Sequence, residues 1–214
     1  ISTTHGIGNG DLLDKVIELL PRQEAKEKDD EIDFCLIGRP NVGKSSLCNA
    51  ILNQERVIVS SIEGTTRDAI DTPFTSNGFN YKVIDTAGLK KNGKNYEAVD
   101  KYAALRALGA IDRSDVVLLV IDGKAGIREQ DKAIVSYAVE ENKPAIIIVN
   151  KWDIVEKDET TINEFTKDIR DEFKFMSYAP ILFVSAKTKQ RVNLITETIA
   201  RIYNNSCKRI QTSI

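Results

Sequence analysis

Short apolar runs alternate with amphipathic segments along most of the chain. The runs predict strands at residues 33–37, 116–121, 145–149 and 181–184, and the middle two are apolar throughout, as in strands buried on both faces. Apolar residues at helical spacing predict helices at residues 45–53, 97–110, 128–141, 160–175 and 192–202. Because strands and helices alternate, the pattern predicts a mostly parallel sheet with helices on both faces.

A β-hairpin interrupts this alternation. Residues 69–76 and 79–86 predict two strands, and Asn77-Gly78 between them is typical of a tight antiparallel turn. The predicted fold class is therefore α/β, with a six-stranded sheet that contains one antiparallel strand. Ligands of such sheets bind at the carboxyl ends of the strands.

The termini predict additional pieces around this domain. Asp11 is placed to cap a helix with an apolar face from Leu12 to Leu20, which ends at Pro21, and residues 24–31 form a charged run typical of a solvated linker. The chain begins with Ile1 and its only methionine is Met176, so we expect it to be part of a longer protein. The expected divisions before the main domain are a helix at 1–21 and a linker at 22–31.

Composition narrows the class of protein. Charged residues make up 29% of the chain and the net charge is −2, which predicts a soluble protein and gives no bulk attraction to nucleic acid or membrane. The apolar runs are far too short to cross a bilayer. The three cysteines, Cys35, Cys48 and Cys207, have no metal or redox spacing, and the sole histidine, His5, is expected in a loop. We expect thiols in a reducing compartment and hence a cytoplasmic protein.

The segment Gly38-Arg39-Pro40-Asn41-Val42-Gly43-Lys44-Ser45 fits the pattern of a phosphate-binding loop. Its glycines allow backbone N–H groups to point at a polyphosphate, and the following helix, with Ser46 in its first turn, adds its positive end. Lys44 is predicted to reach the terminal phosphates and Ser45 to bind Mg²⁺. A glycine turn that matches by chance is the alternative, but the predicted strand before it and helix after it argue for the phosphate loop.

Asn150-Lys151-Trp152-Asp153 follows a predicted buried strand. Asp153 is placed to accept hydrogen bonds from N1–H and the exocyclic amine of guanine, which adenine lacks, and such bonds contribute roughly 1.5–3 kcal/mol each. Lys151 can cover the ring with its methylene stem, and Trp152 is expected to pack. Ser185-Ala186-Lys187 ends the last strand and can support the guanine carbonyl. Each stretch alone also fits a polar exit from a strand.

Two segments are candidates for the magnesium and γ-phosphate site. Asp85 follows an apolar strand, which suits a carboxylate that holds Mg²⁺ through water, and Gly88 can bring a backbone N–H to the γ-phosphate. A simple turn at Asp85-Thr86-Ala87-Gly88 is the alternative. A threonine in Gly64-Thr65-Thr66-Arg67-Asp68 can complete the Mg²⁺ shell only with triphosphate bound, which is the basis of a switch.

Together these stretches resemble the translation-factor-related GTPases, and most closely the EngA/Der family, which has two G domains and assists assembly of the large ribosomal subunit. The stretches that carry the resemblance are GRPNVGKSSLCNAIL from Gly38, GTTRD from Gly64, DTAGL from Asp85, GIREQDK from Gly126, NKWDIVEKDE from Asn150 and YAPILFVSAKTKQRV from Tyr178. The likeness implies a P-loop NTPase G domain at residues 32–205, similar to the family's second. It also implies that residues 1–21 end a preceding G domain and that residues 206–214 begin a KH-like domain.

The resemblance also implies roles for individual residues. Thr66 corresponds to the switch threonine on Mg²⁺, and Asn41 to an asparagine that helps to hold K⁺, completed by backbone oxygens of Ser60 and Ile62. Leu89 stands where some GTPases carry a glutamine that orients the attacking water. Because leucine cannot hydrogen-bond water, we expect slow basal turnover. The catalytic residues are then Lys44, Asn41, Thr66 and Gly88.

The sequence thus predicts a monomeric switch that binds GTP and GDP with Mg²⁺ and K⁺ and hydrolyses GTP. Its expected partners are the large ribosomal subunit and its RNA, reached through the full-length protein, and no membrane. One alternative is a nucleotide-sensing module with negligible hydrolysis in isolation. Another is a related G protein that acts in RNA modification.

Overall fold

The computed structural model describes residues 31–54, 57–59, 71–86 and 99–208, together with Lys15. The chain divides into two units, Ile1–Asp30 and Glu31–Ile214, and the fold described below is that of the second. The helix and linker predicted before residue 31, and residues 209–214, lie outside the described residues, so the predicted domain divisions stay predictions.

Among the described residues, seven strands form one sheet in the order β2-β3-β4-β1-β5-β6-β7. The strands are β1 Glu31–Ile37, β2 Val57–Val59, β3 Thr72–Ser76, β4 Phe79–Val83, β5 Val116–Asp122, β6 Ala145–Asn150 and β7 Ile181–Phe183. Only β3 runs against its neighbours, since it pairs antiparallel with both β2 and β4 while the other pairings are parallel. This confirms the predicted fold class with its single antiparallel strand.

The sheet has one strand more than the sequence predicted. The additional strand, β2, is three residues long and lies at the edge of the sheet, within a segment for which the sequence analysis predicted no strand. Its hydrogen bonds come from the partner strand β3. A strand this short has too few residues to show an alternating pattern, and for this reason the prediction of six strands was too low.

Five α-helices in the described part of the domain cover the sheet. They are α1 Lys44–Leu52, α2 Val99–Arg113, α3 Glu129–Glu140, α4 Thr161–Glu172 and α5 Asn193–Ser206. One core cluster joins α1 and α5 to one face of the sheet through Leu47, Ile51, Ile195 and Ile199. A second joins α2, α3 and α4 to the other face through Ile111, Val135 and Ile169. Both faces are therefore covered, as the unbroken burial of β6 requires.

The predicted turns and thiols are also present. Asn77 and Gly78 have φ values of 51° and 80°, the left-handed conformation at both central positions that the tight hairpin needs. All three cysteines are free, with Cys35 and Cys48 buried and Cys207 exposed.

The first strand, β1, lies in the middle of the sheet between β4 and β5. The chain thus leaves β1 toward one edge and later crosses to the other, and ligands bind at such a switch point.

Candidate functional site

The phosphate loop joins the end of β1 to the start of α1, as predicted. Gly38 and Gly43 both have positive φ, 134° and 97°. A Cβ on Gly38 would lie 2.4 Å from the carbonyl oxygen of Val120, and one on Gly43 would lie 2.3 Å from Nδ2 of Asn150. The neighbouring strands β5 and β6 therefore leave no room for a side chain at either glycine, whatever ligand the loop receives.

Lys44 is the first residue of α1, and its amine reaches back to the start of the phosphate loop. Its Nζ donates hydrogen bonds of 2.7 Å to the carbonyl oxygens of both Gly38 and Arg39. Burial lowers the pKa of Lys44 to about 8, and the carboxylate of Asp131 opposes part of that shift. A partly desolvated ammonium held by main-chain carbonyls is a strong binding group for a phosphate oxygen.

Ser45 and Asp85 are the described candidates for magnesium. They follow β1 and β4, which are adjacent and parallel, so both lie at the same rim of the sheet. Asp85 has a φ of 58°, and its backbone N–H donates to Oδ1 of Asp71 at 2.9 Å, which holds the turn after β4. Asp71 in turn pairs with Arg113 of α2. A hydroxyl and a carboxylate are the oxygen donors that Mg²⁺ prefers, so this donor set fits the ion.

Asn150 connects three loops at this rim. Its Nδ2 donates to the carbonyl of Val42 at 2.9 Å, and its Oδ1 accepts from the N–H of Ala186 at 3.1 Å. The side chain is 1% exposed. The phosphate loop, the end of β6 and the loop after β7 are therefore fixed to one another by a single buried amide.

Lys151 and Asp153 flank the predicted base position. Nζ of Lys151 donates to the carbonyl of Asn41 at 2.7 Å and to Oδ2 of Asp122 at 2.6 Å. Oδ1 of Asp153 accepts from Oγ of Ser185 at 2.7 Å, and this hydrogen bond lowers the pKa of Asp153. Asp153 is therefore held as a carboxylate, the form that accepts two hydrogen bonds from a base.

The sequence analysis missed Asp122. Burial opposes its ionisation, but hydrogen bonds from Lys151 and from the N–H groups of Ala125 and Lys124 lower its pKa overall. The signal was present in the sequence, since Asp122 ends a buried strand and is followed by Gly123, where a Cβ would lie 3.1 Å from the carbonyl oxygen of Asn150.

Several predicted residues have other positions or roles. Trp152 is buried and its ring contacts Phe165 and Phe183, which confirms the expectation that it packs. The side chain of Arg39 points into the protein and bonds to Asp131, so only the main chain of Arg39 can contribute to phosphate binding. Pro40, Ser46 and Lys187 are exposed. The predicted residues Ser60, Ile62, Thr66, Ala87, Gly88 and Leu89 lie outside the described residues and stay predictions.

Residues 33–151 match the family model described as "50S ribosome-binding GTPase", which is more than half of the chain. The chain belongs to this family of GTPases. Curated relatives named GTPase Der are 55% identical in Lactobacillus acidophilus and 57% identical in Bacillus cytotoxicus, over 100% of this chain and 49% of each relative. The predicted resemblance to EngA/Der is thereby confirmed, and the chain spans about half the length of these relatives.

Solved structures of other GTPases share the fold. Era in complex with MgGDPNP and a segment of 16S ribosomal RNA aligns with 86% of this chain and 59% of its own at a TM-score of 0.62 and 22% identity. The G domain of the FeoB iron transporter of T. maritima aligns with 81% of this chain and 99% of its own at a TM-score of 0.52 and 25% identity. These similarities confirm the P-loop G-domain fold of this GTPase-family member.

Two features are absent from the part of the chain that the structure describes. None of its helices is long and apolar enough to cross a bilayer. Within the same residues, no group of three or more histidine, cysteine and carboxylate side chains is arranged to hold a metal ion.

Proposed function

We propose that this domain binds GTP and GDP with Mg²⁺ and hydrolyses GTP to GDP and phosphate. The observation that carries this proposal is the side chain of Asn150, which bonds to Val42 in the phosphate loop and to Ala186 after β7. This contact holds a phosphate-binding loop and a base-recognising carboxylate at a fixed spacing along one rim. A purine nucleoside triphosphate has a phosphate chain at one end and a base at the other, which matches these two parts of the site.

Guanine is the base that this site favours. The Asp153 carboxylate, oriented by Ser185, accepts from the two adjacent donors of guanine and finds no such pair on adenine. With adenine in the site, the Asp153 carboxylate would face the base without those two donors. The site therefore discriminates against ATP through the unpaired acid rather than through steric exclusion.

Each described residue at the phosphate end has a separate role in this proposal. Lys44 neutralises charge on the terminal phosphates, and the backbone N–H groups of the loop bind their oxygens. Ser45 and Asp85 would hold Mg²⁺, which supplies a positive charge between the phosphate oxygens when it is bound. The leaving diphosphate is thereby stabilised electrostatically, and this is the main task in phosphoryl transfer.

We further propose a role as a switch in assembly of the large ribosomal subunit. The support is the family to which the chain belongs and the identity with the GTPase Der relatives. In this proposal Thr66 and Gly88 respond to the γ-phosphate, and Asn41 with the backbone of Ser60 and Ile62 holds K⁺. The binding of large ribosomal subunits in the presence of a non-hydrolysable GTP analogue, compared with GDP, tests the switch.

A second candidate function is a nucleotide-sensing module with negligible hydrolysis in isolation. The specific observation in its favour is Leu89, which follows the Asp85-Thr86-Ala87-Gly88 stretch and has no group to orient a water molecule. In the GTPase proposal the water is oriented by the backbone, the cation or a partner, and basal turnover is slow. In the sensing proposal GTP binding moves the loops without any turnover by the chain itself.

Multiple-turnover phosphate release from GTP, measured in K⁺ and in Na⁺ buffer, separates these two functions. We expect slow release in K⁺, slower release in Na⁺, and none from Lys44→Ala, while Lys167→Ala on the exposed side of α4 retains the original rate. Asn41→Ala should abolish the difference between K⁺ and Na⁺ and leave nucleotide binding largely intact. GTP binding without phosphate release in either buffer would favour the sensing module, and equal hydrolysis of ATP would contradict the assignment of the base site.

A further inference from the structure

Arg39, the second residue of the phosphate loop, directs its side chain away from the proposed phosphate site. Its Nε donates to both carboxylate oxygens of Asp131, at 3.0 and 2.9 Å, and its Nη2 donates to the carbonyl of Gly126 at 2.7 Å. Arg39 is 9% exposed and Asp131 is fully buried. The phosphate loop is thus held by a buried, hydrogen-bonded ion pair between Arg39 and Asp131, which are 92 positions apart in the chain.

The partner of this ion pair is itself rigidly placed. Asp131 lies in the first turn of α3 and also accepts from the backbone N–H of Arg128 at 3.0 Å. The guanidinium of Arg39 therefore connects the phosphate loop with two further elements, the loop after β5 and the start of α3. A guanidinium can make these contacts at once because its donors form a planar fork.

Stability alone does not account for this arrangement. Removing two charges from water is costly, and buried ion pairs can often be replaced by apolar side chains of similar volume without loss of stability. Hydrogen bonds fix direction as well as distance, and apolar packing does not. An ion pair at this position is therefore better explained by the geometry that it fixes than by the energy that it contributes.

The group whose position it fixes is Lys44. The main-chain carbonyl of Arg39 accepts from Nζ of Lys44 at 2.7 Å, so the residue held by Asp131 through its side chain holds Lys44 through its backbone. The ion pair thus keeps the amine of Lys44 in one place through the backbone of Arg39.

We propose that Arg39 and Asp131 are positioning residues for Lys44, and that their ion pair sets the affinity of the phosphate loop for nucleotide. This inference rests on the proposed function, since it assigns Lys44 to the phosphates. It predicts that loss of the pair weakens the binding of GTP and GDP together and leaves the choice of base unchanged, because Asp153 and Asn150 belong to a different set of contacts.

Two variants test the proposal. Asp131→Asn keeps the shape of the side chain and removes its charge. The double variant Arg39→Met with Asp131→Leu replaces the pair by apolar side chains that preserve packing, and it serves as the test if Asp131→Asn does not fold. The control is Lys82→Met, which removes an ion pair with Glu31 and Asp33 at the amino end of β1. The other charges at the rim, namely those of Lys151, Asp122 and Asp85, are unchanged in all of them.

The dissociation constants for GTP, GDP and xanthosine triphosphate, and the free energy of unfolding, are measured on the 214-residue chain. We expect each variant of the pair to bind GTP and GDP about tenfold more weakly or worse, with an unchanged ratio of GTP to xanthosine triphosphate. The double variant should lose this affinity while its free energy of unfolding stays close to that of the original chain, and Lys82→Met should bind nucleotide like the original.

A merely structural ion pair would give a different result. If the double variant is as stable as the original chain and binds GTP equally well, the pair is replaceable packing and the inference is wrong. The same conclusion holds if Asp131→Asn lowers the free energy of unfolding and leaves the affinity for GTP unchanged. Failure of the original chain to bind GTP would instead overturn the proposed function.

Discussion

Nδ2 of Asn150 lies 2.9 Å from the carbonyl oxygen of Val42, a contact between residues 108 positions apart. The same side chain accepts from the N–H of Ala186. One buried amide therefore satisfies a main-chain acceptor in the phosphate loop and a main-chain donor beside the base site.

Asn150→Ala removes both contacts and leaves the two main-chain groups without partners. A buried group without its hydrogen bond costs about 1–3 kcal/mol, so we expect the free energy of unfolding to fall by roughly 2–4 kcal/mol. GTP affinity should fall more than tenfold, because the two ends of the site lose their fixed spacing. Urea unfolding and calorimetric titration measure the two effects. Asn163→Ala, on the exposed side of α4, is the control, and an equal change in both variants would contradict this role.

Gly43→Ala tests whether the loop glycine is required by the fold as well as by the ligand. The new Cβ would lie 2.3 Å from Nδ2 of Asn150, which cannot move without breaking its hydrogen bond to Val42. Gly78→Ala is a matched control, since Gly78 also has positive φ but has nothing within 4 Å of the added Cβ.

The control should lose only the cost of backbone strain, about 1–2 kcal/mol of unfolding free energy. Gly43→Ala should lose that amount and about 1–3 kcal/mol more, even without nucleotide. Thermal and urea unfolding of the ligand-free variants provide the comparison. Equal losses would show that the close approach of β6 is unimportant.

Asp153→Asn should reverse part of the base preference. The amide presents a donor where the carboxylate presents an acceptor, which suits the carbonyl of xanthine and opposes the amine of guanine. We expect weaker GTP binding, roughly a hundredfold or more, and improved binding of xanthosine triphosphate. Competition titrations with the two nucleotides measure the ratio, with Asp171→Asn on the surface of α4 as the control. An unchanged ratio in Asp153→Asn would remove Asp153 from the base site.

The affinity for GTP should depend on pH through Lys44. Because burial lowers the pKa of Lys44 to about 8, the free site is protonated below that pH and loses its charge above it. Binding to phosphate requires the cation, so affinity should be constant below about pH 8 and decline as pH rises further. Lys44→Arg remains charged throughout and supplies the baseline for ionisation of the nucleotide itself. Parallel profiles for the two proteins would show that Lys44 does not titrate in this range.

Much of the architecture could be predicted because it depends on the types and spacing of residues that are close together in the sequence. The apolar runs that became β5 and β6 are buried along their length, and Asn77-Gly78 forms the expected turn, because these features depend on neighbouring residues alone. The edge strand β2 was not predicted, because its three residues show no pattern of their own and it forms a strand by pairing with β3.

The sequence by itself determined the order of the elements, the phosphate loop and the base-recognition motif, since each requires particular residue types at fixed local spacing. Only the tertiary structure decided that Arg39 pairs with Asp131, that Lys151 bonds to Asp122 and that Asn150 supports Val42. These partners are distant in the chain and meet at the carboxyl ends of β1, β5 and β6 or at the start of α3. The physical reason is that periodicity reports which face of an element is buried, whereas the order of strands decides what that face or strand end meets.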